Sequence, residues 1–228
     1  MNLTDTASVA SLVSLVGLAP VAYNAGLQLR DRRRRQRSQI LRDSQFPNWQ
    51  IVRPSYQGNM ARVEDVAASQ IVAAKLTSLG LGSRIIDHRE HLEASANVVL
   101  ICGPRGNEKS LELSQRLTLP IAFDTTQTPA ALVDSSQDQT YRSPSDGGKS
   151  ADVALFGRVT LLDQRFYILW GLHGVGTIGA AKVFADDQIL GEAARQAHGR
   201  DFVGVLYVPF TSLDNVGTPR WLAPPVAL

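Results

Sequence analysis

Two glycine-bearing stretches stand where a strand pattern gives way to a helix pattern. The first, Gly103-Pro104-Arg105-Gly106-Asn107, follows the apolar run 97–102 (NVVLIC). Backbone amides at such a helix start can hold a phosphate, and glycine lets a ligand come close. Lys109-Ser110 brings the stretch near the phosphate loop Gly-x-x-x-x-Gly-Lys-Ser/Thr, but Glu108 stands where the second glycine belongs. That acid would face the phosphates, which argues against a nucleoside triphosphatase. Gly147-Gly148-Lys149-Ser150 is a weaker match, because no strand precedes it. In the second stretch Gly174, Gly176 and Gly179 form a literal Gly-x-Gly-x-x-Gly, with His173 before it and Thr177 inside it. The acid expected at the end of the following strand is missing, since Pro209-Phe210-Thr211 stand there. Dinucleotide binding of the usual kind is therefore not expected. Glycines also suit close packing of a helix on a strand, so both stretches have a purely architectural alternative.

Other polar residues bear on the same question. His173 has the right chemistry to meet a phosphate or to act as general acid or base. Asp87 ends a strand pattern, where an acid can accept from a ribose hydroxyl. Asp124 and Asp152 bracket a polar stretch, and a pair of carboxylates can assist cleavage of a glycosidic bond. The cluster Asp87, His88, Glu90, His91 offers a His-x-x-His spacing, but no third ligand follows, so no metal site is assigned. No cofactor is assigned either. Cys102 ends an apolar run and reads as a packing residue. The expected ligand-binding set is Gly103, Pro104, Arg105, Gly106, Asn107, Asp87, His173, Gly174, Gly176, Thr177 and Gly179. The catalytic candidates are His173, Asp124 and Asp152.

The elements that position these residues alternate. Strand patterns fall at 50–53, 84–87, 97–102 and 120–124, and helix patterns at 63–79 and 107–117, with a short helix expected over 91–96. Residues 125–150 are rich in Thr, Gln, Ser, Asp, Pro and Gly and read as a flexible loop or lid. Segments 152–161 and 165–172 read as an antiparallel hairpin. A helical region follows to about 198, broken near Asp186 and Asp187, and then a strand over 202–209 and an edge or coil tail. The expectation is an α/β fold: a Rossmann-like, mostly parallel sheet with helices on both faces, an antiparallel hairpin addition, and one N-terminal helix before it.

Composition narrows the class. The chain has 228 residues, 44% hydrophobic and 19% charged, and one cysteine, which excludes global disorder, an intrachain disulfide framework and a zinc site built on several cysteines. Residues 30–42 carry +6 and the whole chain +2, leaving the remainder at −4, so a nucleic-acid groove across the body is not expected. Residues 7–29 contain no formal charge and the arginine block follows at once. This predicts a single transmembrane helix over 7–29, after a tail at 1–6, with a basic tether over 30–49 and a cytoplasmic domain over 50–228. The localisation implied is the cell membrane, single-pass. The alternatives are a helix packed on protein and a nucleic-acid tail. Pro20 and the small residues weaken the span, while the small residues and Asn24 suit helix association, hence a homo-oligomer.

An apolar helix, an arginine block, a Gly-Pro-x-x-Asn loop (103–107) and a His-Gly-x-Gly-Thr-x-Gly loop (173–179) together resemble bacterial membrane-tethered, nucleotide-handling Rossmann-like domains of signalling and defence systems. The resemblance covers most of the chain and carries no functional residues over. The expected function is binding of a nucleotide-like or anionic small molecule beneath a lipid bilayer. Two alternatives are a nucleotide or nucleoside hydrolase or transferase, and a non-enzymatic membrane-anchored interaction domain.

Overall fold

The computed structural model describes residues 40–41, 46–56 and 60–228. Among these, ten strands and four helices follow in the order β1 (Asn48–Arg53), α1 (Val63–Ser78), β2 (Gly82–Asp87), β3 (Ala96–Ile101), α2 (Glu108–Arg116), β4 (Ile121–Asp124), β5 (Ala131–Asp134), β6 (Gln139–Arg142), β7 (Ala151–Leu161), β8 (Gln164–Gly171), α3 (Gly174–Ala185), α4 (Asp187–Gln196), β9 (Phe202–Pro209) and β10 (Arg220–Ala227). Seven strands form the central sheet in the order β10-β9-β7-β8-β3-β1-β2, and β4, β5 and β6 form a separate sheet. The β1–β2, β1–β3 and β3–β8 pairs are parallel, while β7–β8, β7–β9 and β9–β10 are antiparallel. Five of the seven strands thus run the same way, with β7 and β10 reversed. The fold is mixed α/β with a mostly parallel central sheet.

Burial follows from this order. Every residue of β3 is buried, as a strand paired on both edges and covered on both faces requires. One face of the sheet packs Trp49, Ile51, Tyr167 and Leu169 against α1, α3 and α4, and Leu41 belongs to the same core. Trp49, Tyr167 and Phe184 meet there with ring centroids 5.2–6.1 Å apart. The other face packs Val98, Leu100, Ile168 and Trp170 under Leu113 of α2 and under Ile121, Leu132 and Tyr141 of the small sheet. The β7–β8 turn is two residues, Leu162 and Asp163, both with positive φ, which is the turn that matches hairpin twist. At the β10 edge, Pro224 and Pro225 fall in an irregular register, where a missing N–H does no harm.

Three expectations change. Residues 91–96 form no helix; the chain passes from β2 to β3 through turns. Residues 125–150 are not one long loop, because β5 pairs with β4 and β6 with β5 in an antiparallel sheet. Their polar sequence is that of a sheet with one packed face. The single-pass membrane reading, and with it the cell-membrane location, is overturned: among the described residues no helix is long and apolar enough to cross a membrane. The segment 7–29, the arginine block and the oligomer expectation built on Asn24 lie outside the described residues.

Candidate functional site

The chain after β1 turns into α1 on one face of the sheet, and the chain after β3 turns into α2 on the other. The C-terminal ends of these adjacent parallel strands therefore part, which is where open α/β sheets leave a crevice. A cleft of about 480 Å³ lies there. Tyr56 and Arg62 enter it from the β1–α1 connection, Glu64 and Asp65 from the first turn of α1, and Cys102, Gly103, Arg105 and Gly106 from the β3–α2 turn. Gly171, Leu172, His173, Gly174 and Thr177 enter from the end of β8 and the start of α3, and Phe123 comes from β4 and Pro129 and Ala130 from the β4–β5 connection.

Of the residues picked out from sequence, Gly103, Arg105, Gly106, His173, Gly174 and Thr177 line this cleft, while Pro104, Asn107, Asp87, Gly176 and Gly179 do not. Asp87 borders a separate hollow of about 300 Å³ with Arg53, Ser55 and Glu90. Burial pushes its carboxyl up, but bonds from Ser55 and the Arg89 amide, with His88 and Arg89 nearby, hold it below the usual range. Asp124 is half-buried and accepts from Thr126 N, Thr126 Oγ1 and Gln127 Nε2 at 2.6–2.8 Å; these bonds lower its pKa. Asp152 is fully buried. One carboxyl is spent on a turn and the other is sealed in the interior, so they do not form a catalytic pair.

At both helix starts expected to hold a phosphate, protein atoms take up some of the amides. Asn107 caps α2: its Oδ1 accepts from Lys109 N at 3.0 Å and Ser110 N at 3.3 Å, and its Nδ2 donates to Ile101 O at 2.8 Å. Glu108 N donates to His88 Nδ1 at 3.0 Å, which commits one nitrogen of the His-x-x-His pair. At α3 the anion is Asp152 itself. Its carboxylate accepts from Gly176 N at 2.6 Å, His173 N at 3.1 Å, Val153 N at 2.8 Å and Ser143 Oγ at 2.6 Å. A Cβ on Gly176 would stand 2.6 Å from Asp152 Oδ2, and one on Gly174 would stand 2.5 Å from Glu64 Cγ. These glycines admit protein atoms rather than a pyrophosphate. Arg105 is committed as well, donating to Thr125 O at 2.8 Å and to Gln127 O.

The free chemistry of the cleft lies elsewhere. Asp65, in the first turn of α1, is 2% exposed. Its Oδ2 has no hydrogen-bond partner among the described residues. Burial, reinforced by Glu64, raises its pKa to about 6 against the opposing pull of Arg62 and Arg53. Cys102 takes a positive φ of 74°, a left-handed conformation that costs a non-glycine residue roughly 1 kcal/mol. Burial and Asp65 push its thiol up to about 12, so it is no ready nucleophile. Tyr56 is likewise raised to about 12 by burial, then by Cys102 and Asp65, and the Arg62 guanidinium lies 4.7 Å from its ring centroid. His173 Nε2 is 2.8 Å from Asp146 Oδ1. Asp65 carries no motif. The signal available in sequence was an acid in the first turn of the helix after the first strand, which reads as ordinary support for the helix dipole. Among the described residues no group of three His, Cys, Asp or Glu side chains converges as a metal site would need.

No family model matches the chain, and no curated protein matches it.

Proposed function

We propose that this cleft binds a nucleotide-like small molecule. The observation that carries the reading is the convergence of the β1, β3 and β8 ends on one hollow at the point where the crossover direction reverses. A Rossmann-like layout is the finer description of such a sheet and belongs to the same proposal. The lining suits the parts of a nucleotide separately. Tyr56 and Phe123 offer rings to a base, Arg62 offers a cation to a phosphate, and Asp65 offers an unoccupied acceptor to hydroxyl or amino groups. Phosphate recognition in this reading rests on side chains, since the capped amides of α2 and the Gly176 amide of α3 are taken.

The test is calorimetry and thermal unfolding of the full chain against nucleosides, their 5′-monophosphates and triphosphates, and nicotinamide–adenine dinucleotide. At least one should bind with unit stoichiometry and raise Tm; a ligand at 100 times its Kd adds about 2.7 kcal/mol. Arg62→Ala should weaken phosphate-bearing members about tenfold and leave nucleosides nearly unchanged. A panel that gives neither heat nor a shift in Tm removes the reading.

A further inference from the structure

Resting on that binding reading, we infer that the cleft hydrolyses an N-glycosidic bond, with Asp65 as general acid and His173, positioned by Asp146, as general base. Asp65 is buried at the cleft wall with an unpartnered oxygen, the state of a carboxyl that is waiting for a substrate atom rather than supporting the fold. His173 lines the same cleft from the neighbouring β8–α3 turn. Asp146 engages its Nε2 at 2.8 Å, which fixes the ring and leaves Nδ1 to accept a proton. The α1 and α3 starts that carry the two groups are in contact, since a Cβ on Gly174 would overlap Glu64.

Electrostatics selects the bond. An attack at phosphorus gathers negative charge, which Glu64, and Asp65 once it has given up its proton, oppose, while Arg62 is engaged by the substrate's own phosphate in the binding reading. Departure of a base from a sugar gathers positive charge on C1′, which carboxylates favour. Asp65 gives its proton to the leaving ring nitrogen as the C1′–N bond breaks, and the bonding electron pair goes to that nitrogen. The sugar cation forms beside the Asp65 carboxylate just produced. Water adds to C1′ and loses a proton to His173 Nδ1. Solvent returns that proton to Asp65, so one water is consumed, and one sugar hydroxyl and one N–H are made. The groups that set the Asp65 titration are Arg53 from β1, Tyr56 and Arg62 from the following loop, Glu64 beside it and Cys102 from the β3 end.

The experiment incubates the full chain with the same panel and follows free base by chromatography, beside calorimetric binding. Wild-type protein should release base, with kcat/KM falling as pH rises through about 6. Asp65→Asn keeps the shape and should lose about 100-fold in kcat. His173→Gln should lose at least tenfold, and decides the matter if Asp65→Asn fails to fold. Asp146→Asn should shift the pH profile while leaving KM unchanged. Binding without base release, or full activity in Asp65→Asn, overturns the hydrolase and leaves the binding reading standing. If nothing binds and nothing is released, both fall.

Discussion

Asp65 is the residue whose environment departs furthest from what its type prefers. A carboxyl at 2% exposure with an unsatisfied oxygen favours its neutral form, which is why it titrates near 6 rather than in the usual carboxylate range. Linkage fixes the sign of its effect on stability. A pKa raised on folding means that the folded state holds the proton more tightly than the unfolded chain. The contribution is whole below the unfolded value and is lost as pH rises through the folded one. Asp65→Asn should therefore match wild type near pH 3.5 and exceed it above pH 6, by roughly 2 to 3 kcal/mol at most. Urea unfolding at pH 4 and pH 7.5 measures this, and a variant less stable at pH 7.5 would contradict a strained, unpaired carboxylate. The same physics explains why sequence passed over this residue. Its function-like character comes first from burial, near Tyr56 and Cys102, 9 positions before it and 37 after it, with a smaller push from Glu64 beside it.

At the scale of elements, α3 shows how one motif serves a different purpose. Its glycines were legible as a strand-to-helix turn, but the occupant of the turn was not. Asp152 sits 24 positions before Gly176 and reaches its amide only because β7 lies beside β8 in an antiparallel pair. Further along, a Cβ on Gly179 would fall within 2.5 Å of the Val208 side chain on β9. Gly179→Ala should then push α3 from the sheet and cost about 1–3 kcal/mol, seen as a lower urea midpoint with unchanged m, and a neutral result would mean that the helix is not so closely seated. The alternating strand and helix patterns could be read because each element repeats its own period: β7, β8, α1 and β9 fall within a residue or so of their expected bounds. The small sheet could not. β5 and β6 are only four residues each and set just Leu132 and Tyr141 as apolar residues on the face that packs on the body, so too few apolar positions remain to mark a strand against a loop.

Over the whole molecule, stability is unevenly distributed. The interior strands β3, β8 and β7 are covered on both faces, whereas β4–β5–β6 meets the body mainly through Ile121, Leu132 and Tyr141 on one face. The segment between β4 and β5 is also tied by Arg105 to the carbonyls of Thr125 and Gln127. Phe123, Pro129 and Ala130, which wall the cleft, belong to this weaker part, so opening the small sheet also opens the site. Amides of β4 and β5 should accordingly exchange faster than those of β3 and β8, and by a separate opening. Arg105→Ala removes two partly exposed bonds, a change of about 1 kcal/mol in that opening and so about fivefold in exchange rate. Hydrogen exchange read by mass spectrometry should show the increase confined to residues 121–134, with the central strands untouched. An increase spread evenly over both sheets would mean that the cleft wall and the body unfold together, and that ligand access is not governed by this strap.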